Sequence, residues 1–228
     1  MILSKQDRLV DPASYISMIH VEPDCIDHPV TREIIARAGN IPVEVVSAGK
    51  FSLPDLGFYP KSLTEGKRRL LLAQNRGKFF KPCPGTREYV CCDYQVLNIG
   101  MNCPMDCVYC ILQAYLNNPY LSFFVNIEDL LTELTETFAH DPQHFWRIGT
   151  GEFTDSLALD RLTGLSRILV EFMRDKKSAV LELKTKTAVI ENLAGLDHGG
   201  RTIVAWSLNS PGIVAQEEIR TASLEQRL

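Results

Sequence analysis

No apolar run in this chain approaches the roughly 20 residues that a membrane-spanning helix requires. The amino terminus, Met1-Ile-Leu-Ser-Lys-Gln-Asp-Arg8, also lacks the long apolar stretch that heads a secreted precursor. Together these absences predict a cytoplasmic protein with no membrane partner. No cysteine follows Cys110, which confines thiol chemistry to the first half of the chain. The 24 Lys and Arg are outnumbered by 28 Asp and Glu, and the formal net charge of -4 excludes a chain that is basic throughout. What is present is an ordinary globular composition, 45% hydrophobic over 228 residues, enough to bury one sizeable core or one core with a small appended lobe.

The seven cysteines are unevenly placed. Three of them form Cys103-Pro-Met-Asp-Cys107-Val-Tyr-Cys110, directly after the strand-like run Tyr94-Gln-Val-Leu-Asn-Ile-Gly100. Thiolates are soft ligands suited to iron–sulfur clusters and zinc, and three at C-x3-C-x2-C spacing can close on one centre if the chain between them turns tightly. Pro104 and Asp106 suit such a turn. A structural zinc site built from Cys103, Cys107, Cys110 and one of Cys83, Cys91 or Cys92 is the competing reading. Either metal calls for a reducing compartment.

The Cys-x3-Cys-x2-Cys spacing after a first strand resembles the radical S-adenosylmethionine (SAM) signature. Tyr89-Val-Cys-Cys92, Cys107-Val-Tyr-Cys-Ile-Leu-Gln113 and Trp206-Ser-Leu-Asn209 narrow the resemblance to the spore photoproduct lyase family, over residues 18 to 228. The resemblance implies that Cys103, Cys107 and Cys110 ligate three irons of a [4Fe–4S] cluster whose fourth iron is left for SAM. It implies a lyase in which the cluster, charged by a flavodoxin- or ferredoxin-type donor, cleaves SAM to methionine and a 5′-deoxyadenosyl radical. The implied substrate is a thymine lesion in DNA.

The rhythm of the chain is α/β. Ile16-Ser-Met-Ile-His-Val-Glu22 and Pro42-Val-Glu-Val-Val-Ser47 read as strands around a helix opened by Asp27-His-Pro29 and stopped by Gly39. Residues 48–62 read as a loop, and Leu70-Leu-Leu72 as a strand in preference to a helix capped by Ser62. After Tyr94 the order becomes strand, loop, helix. Strands start at Phe145, Ala179 and Ile203, with helical stripes over Ile127 to Phe138, Leu162 to Met173 and Ala188 to Leu193. Such alternation predicts a parallel sheet with right-handed crossovers, a partial (β/α) barrel of radical SAM type. The expected division is a mobile arm over 1–15, a small β-α-β lobe and basic connector over 16–87, and the barrel over 88–228. The family resemblance implies further strands beyond Leu228, so the chain reads as truncated at its carboxyl end.

In such barrels the reactive groups sit at the carboxyl ends of the strands. Gly149-Thr-Gly-Glu152 ends the Phe145 strand and resembles the glycine-rich SAM motif, with Gly149, Thr150 and Gly151 allowing close approach and Glu152 receiving the ammonium group. By the same resemblance Lys184 meets the SAM carboxylate, and Ser207 and Asn209 lie near its ribose and carboxylate. Tyr109 belongs to a radical relay. Two departures stand out: the stretch Gly149 to Asp155 has no thiol where the family's hydrogen-donating cysteine falls, and Ile111 occupies the relay's second tyrosine position. Cys91 and Cys92 are the substitute donors to consider. Residues 61–87 carry Lys61, Lys67, Arg68, Arg69, Arg76, Lys78, Lys81 and Arg87 against Glu65 alone, a stripe suited to DNA phosphates. Phe79 and Phe80 within it could stack on bases, though core packing is their simpler use.

Overall fold

The computed structural model describes residues 10–46, 61–85, 88–90, 92–116 and 118–228. Two five-stranded sheets share one hydrophobic core. The elements in chain order are β1 (Met18–Val21), α1 (Pro29–Ala38), β2 (Val43–Val45), α2 (Lys61–Gly66), β3 (Arg69–Ala73), β4 (Phe80–Pro82), β5 (Tyr94–Leu97) and β6 (Gly100–Met101). There follow α3 (Leu112–Tyr115), β7 (Leu121–Phe124), α4 (Ile127–His140), β8 (Trp146–Gly149), α5 (Asp160–Thr163), α6 (Leu165–Met173), β9 (Ala179–Thr185), β10 (Thr202–Trp206), α7 (Pro211–Glu217) and α8 (Leu224–Arg227).

The first sheet has the order β2-β1-β3-β7-β6 and the second β10-β9-β8-β5-β4. Strands β5, β8, β9 and β10 run parallel, with β4 antiparallel on the outer edge. This is the expected α/β architecture, a partial barrel with an amino-terminal β-α-β unit. Period-two alternation assigns the faces of the second sheet. Leu181 and Leu183 of β9 enter the core beside Ile148. Glu182 and Lys184 point to the opposite face, where Arg147 and Tyr94 meet them.

Chain order and sheet order do not coincide. After β5 the chain leaves the second sheet, adds β6 and β7 to the first, and returns through α4 to β8. Strand β7 is thus an interior strand of the first sheet, paired with β3 and β6. The cysteine loop lies between β6 and β7, within this excursion into the first sheet.

Local chemistry explains several boundaries. His28 accepts the Val30 N–H at 3.3 Å, Pro29 follows as the first helical residue, and Gly39 ends α1 at φ +64°. The stripe from Leu162 to Met173 is not one helix. Gly164 breaks it at φ +64°, and the Arg37 guanidinium takes the freed carbonyls of Leu162 and Thr163 at 3.1 and 3.0 Å. The helix expected from Ala188 to Leu193 is reduced to one 3-10 turn, Glu191–Leu193. Thr185 and Thr187 hydroxyls bond the N–H groups of Thr187 and Val189, each at 3.1 Å, and hold the chain out of helix. Both α2 and β3 form where the sequence reading chose between them.

The arm expected over 1–15 falls partly outside the described residues. Its end is not free, because Pro12–Tyr15 forms a 3-10 turn capped by Asp11, with Ala13 in the core. The loop read over 48–62 lies outside the described residues up to position 60.

Candidate active site

Two residues with positive φ, Asn102 at 70° and Asp106 at 55°, bend the cysteine loop. Asn and Asp tolerate this region because their short side chains bond locally. Asn102 accepts the Cys103 N–H at 2.8 Å and donates to the Pro119 carbonyl at 2.8 Å, pinning the loop's entry to its exit. Asp106 accepts from the Lys67 ammonium at 3.0 Å and the Thr64 hydroxyl at 3.1 Å. Lys67 is 2% exposed. The basic stripe is therefore divided: Lys67 holds the cysteine loop, Arg76 meets Glu22 at 3.2 Å, and Lys78 and Lys81 remain exposed. Phe79 is buried against Phe124, and Phe80 meets Trp146, so neither is presented for base stacking.

A cleft of about 360 Å3 opens between this loop and the carboxyl ends of β8, β9 and β10. Cys103, Cys107, Cys110 and Tyr109 line it on one side. Gly151, Glu152, Lys184 and Ser207 line the other, so eight of the eleven residues expected at the site meet in one place. Gly149, Thr150 and Asn209 do not line the cleft. A Cβ at Gly149 would fall against the Tyr94 hydroxyl, so this glycine makes room for Tyr94 within the sheet. Thr150 bonds the Ser156 hydroxyl at 2.8 Å, and Ser156 accepts the Lys184 N–H at 3.0 Å. Asn209 turns to Tyr109 and Glu218, at 2.8 Å from each.

Burial pushes the Cys107 thiol up to about 11, against the pull of Lys186, and burial also raises Cys103. Among the described residues no three His, Cys, Asp or Glu side chains converge on a single point as a metal ion would need. The three loop sulfurs line one side of the cleft. Cys83 and Cys92 precede β5 and do not line it, and Cys91 lies outside the described residues. Three thiols on one side of a single cleft are the kind of soft donor set that an iron–sulfur cluster takes.

Several contributors were not singled out by the sequence motifs. Asp155 accepts N–H groups from Leu157, Ala158 and Lys186 at 3.0, 2.9 and 2.9 Å and the Thr185 hydroxyl at 2.7 Å, tying β8 to β9 beneath the cleft. Burial outweighs these bonds and raises its carboxyl. Lys186 lines the cleft two residues beyond Lys184, its ammonium 5.2 Å from the Tyr109 ring centre. Glu218 receives the Tyr109 hydroxyl; burial, then this bond, push the phenol upward. Position 155 ends the glycine-rich stretch and was findable from that; Glu218 was not, being more than a hundred residues from the loop it serves.

Parallel strands ending on a three-cysteine loop define a partial barrel of the radical SAM type. The model of the spore photoproduct lyase family matches residues 15–228. This chain belongs to the spore photoproduct lyase family. The spore photoproduct lyases of Clostridium acetobutylicum and Bacillus subtilis are 25% and 22% identical to it, over 91% and 92% of this chain. The chain spans 61% of the length of each. A double mutant of spore photoproduct lyase with bound AdoMet and dinucleoside spore photoproduct superposes with a TM-score of 0.82 at 21% identity. That alignment covers 93% of this chain and 62% of the solved one. Among the described residues no helix is long and apolar enough to cross a membrane.

Proposed function

We propose that this chain is a radical SAM enzyme of spore photoproduct lyase type, acting on a thymine lesion in DNA. The observation that carries the reading is the shared cleft: Cys103, Cys107 and Cys110 open onto the same space as Gly151, Glu152, Lys184 and Ser207. The three thiols would hold a [4Fe–4S] cluster, with SAM beside it. When bound, that pair supplies one-electron reductive cleavage of SAM and with it the power to abstract a hydrogen atom from substrate.

The chain's own residues orient and exclude. Glu152 would receive the ammonium group of SAM and Lys184 its carboxylate, while the missing side chain of Gly151 leaves room for Lys184 and Ser156. Ser207 would border the ribose side of SAM, with Asn209 beyond it. Lys184 is steadied for this by Glu182 at 3.1 Å and by the Tyr94 ring at 4.2 Å. Tyr109, which lines the cleft and is half exposed, would relay a hydrogen atom to the product. A lesion must leave the base stack to enter. Lys78 and Lys81 are suited to the flanking phosphates, and a flavodoxin- or ferredoxin-type protein would reduce the cluster. The domain division at residue 87, with β6 and β7 crossing it, belongs to the same proposal, as does a cytoplasmic setting.

The test is anaerobic reconstitution of the parent and of Cys107→Ala. The parent takes up iron and sulfide, turns brown, and with reductant and SAM yields 5′-deoxyadenosine; Cys107→Ala yields none. A colourless parent holding stoichiometric zinc, or a loaded parent that leaves SAM intact, overturns the reading.

One observation favours a second reading, a radical SAM enzyme acting on another substrate. Among the described residues no thiol besides the three loop cysteines lines the cleft to return a hydrogen atom. Recovery of thymine from a dinucleotide lesion, or SAM turnover without it, separates the two.

A further inference from the structure

Residues 217–220 run antiparallel to residues 105–108, outside any sheet. The Val108 N–H bonds the Glu217 carbonyl at 2.9 Å, the Arg220 N–H bonds the Met105 carbonyl at 3.0 Å, and Cys107 pairs with Glu218 between them. A strap after α7 thus lies along the cysteine loop. Its anchor is an ion pair from which water is excluded: the Arg227 guanidinium reaches Glu218 at 2.5 Å, and both side chains are 0% exposed. Arg227 also donates to the carbonyls of Ala222 and Ser207, the latter at 2.9 Å, and to the Thr221 hydroxyl at 2.6 Å. The capping box of α8, in which Ser223 and Gln226 exchange side-chain and backbone bonds, delivers Arg227 to this spot.

The other oxygen of Glu218 faces the site. It receives the Tyr109 hydroxyl and the Asn209 amide, and Lys186 approaches it to 3.9 Å. Residues expected at the site from two distant parts of the chain, Tyr109 from the cysteine loop and Ser207 and Asn209 beyond β10, therefore meet on one buried pair. An apolar pair of the same volume would hold the fold as well or better. What the ionic pair adds is direction, because the rigid fork of Arg227 aims the carboxylate and the carboxylate aims the phenol.

We infer that Glu218 and Arg227 are positioning residues that set Tyr109, Asn209 and the end of β10 around the cysteine loop. Neither lines the three-cysteine cleft. The inference deepens the proposed function and takes the role of Tyr109 from it, so its test has one readout that needs no cluster. Tyrosines labelled with carbon-13 at Cζ give seven resonances in the full chain, with Tyr109 assigned by Tyr109→Phe. A phenol that donates to a carboxylate resonates downfield of one that donates to water. Glu218→Gln is expected to move the Tyr109 resonance upfield and leave the other six in place; Glu218→Ala moves it further, and Arg227→Lys moves it by disordering the carboxylate. In the reconstituted chain, Glu218→Ala is expected to keep its iron and lose the change that SAM makes in the spectrum of the reduced cluster, while Glu218→Gln retains it.

A Tyr109 resonance unmoved in Glu218→Gln overturns the inference, and so does a collective shift of all seven, which marks a purely structural pair. A full SAM response in Glu218→Ala also overturns it. A parent that takes up no cluster counts against the proposed function and leaves the tyrosine readout to decide the role of the pair.

Discussion

Glu182 shows how one carboxylate is settled by its neighbours. Burial opposes its charge, but Arg147 at 2.7 Å and Lys184 at 3.1 Å outweigh burial and hold its carboxyl below the usual glutamate range. A carboxyl lowered by folding contributes stability above its unfolded pKa and loses it as pH falls through the folded value. The parent is therefore expected to be more stable than Glu182→Gln near neutrality, with the gap closing as pH falls below about 4.3, the ordinary glutamate value. Urea unfolding of both proteins between neutral and acid pH reads that gap directly. The charge pattern of β9 makes this residue conspicuous, yet nothing in its neighbourhood in sequence says that Arg147 is its partner.

At the scale of elements, the strap lies along the cysteine loop and α8 anchors the strap through Arg227. Arg227→Met leaves Glu218 charged, buried and short of its main partner, a change that costs about 3–5 kcal/mol when a fully buried pair is broken from one side. A fall of that order in unfolding free energy is expected, and Glu218→Gln combined with Arg227→Met should recover part of it. The helix breaks are element-scale events too. Gly164 divides the stripe after β8 and lets Arg37 of α1 cap the first piece, which ties the amino-terminal unit to the barrel.

Across the whole molecule, the interleaving of the two sheets decides what the basic stripe can do. Lys67, counted with the stripe by its position in sequence, is carried under the cysteine loop, while Lys78 and Lys81 stay on the surface beside β4. If those two meet phosphates, Lys78→Glu with Lys81→Glu weakens binding to an oligonucleotide regardless of sequence. It also lowers the slope of log affinity against log salt by about 1.4–1.8, at roughly 0.7 to 0.9 per phosphate contact. Fluorescence anisotropy over a salt series measures it, and an unchanged slope removes these lysines from the DNA surface.

The sequence by itself determined the parts that depend on local spacing. The three thiols within eight residues, the alternation of strands and helices after Tyr94, and the placing of Gly151, Glu152, Lys184 and Ser207 at strand ends all follow from period and turn chemistry, which neighbouring residues set. The tertiary structure alone decided which distant groups meet. It sent β7 to the other sheet, buried Lys67 against Asp106, and brought Glu218 and Arg227 onto Tyr109, because a buried charge is tolerable only where a partner reaches it, and that partner is chosen by the fold and not by the adjoining chain.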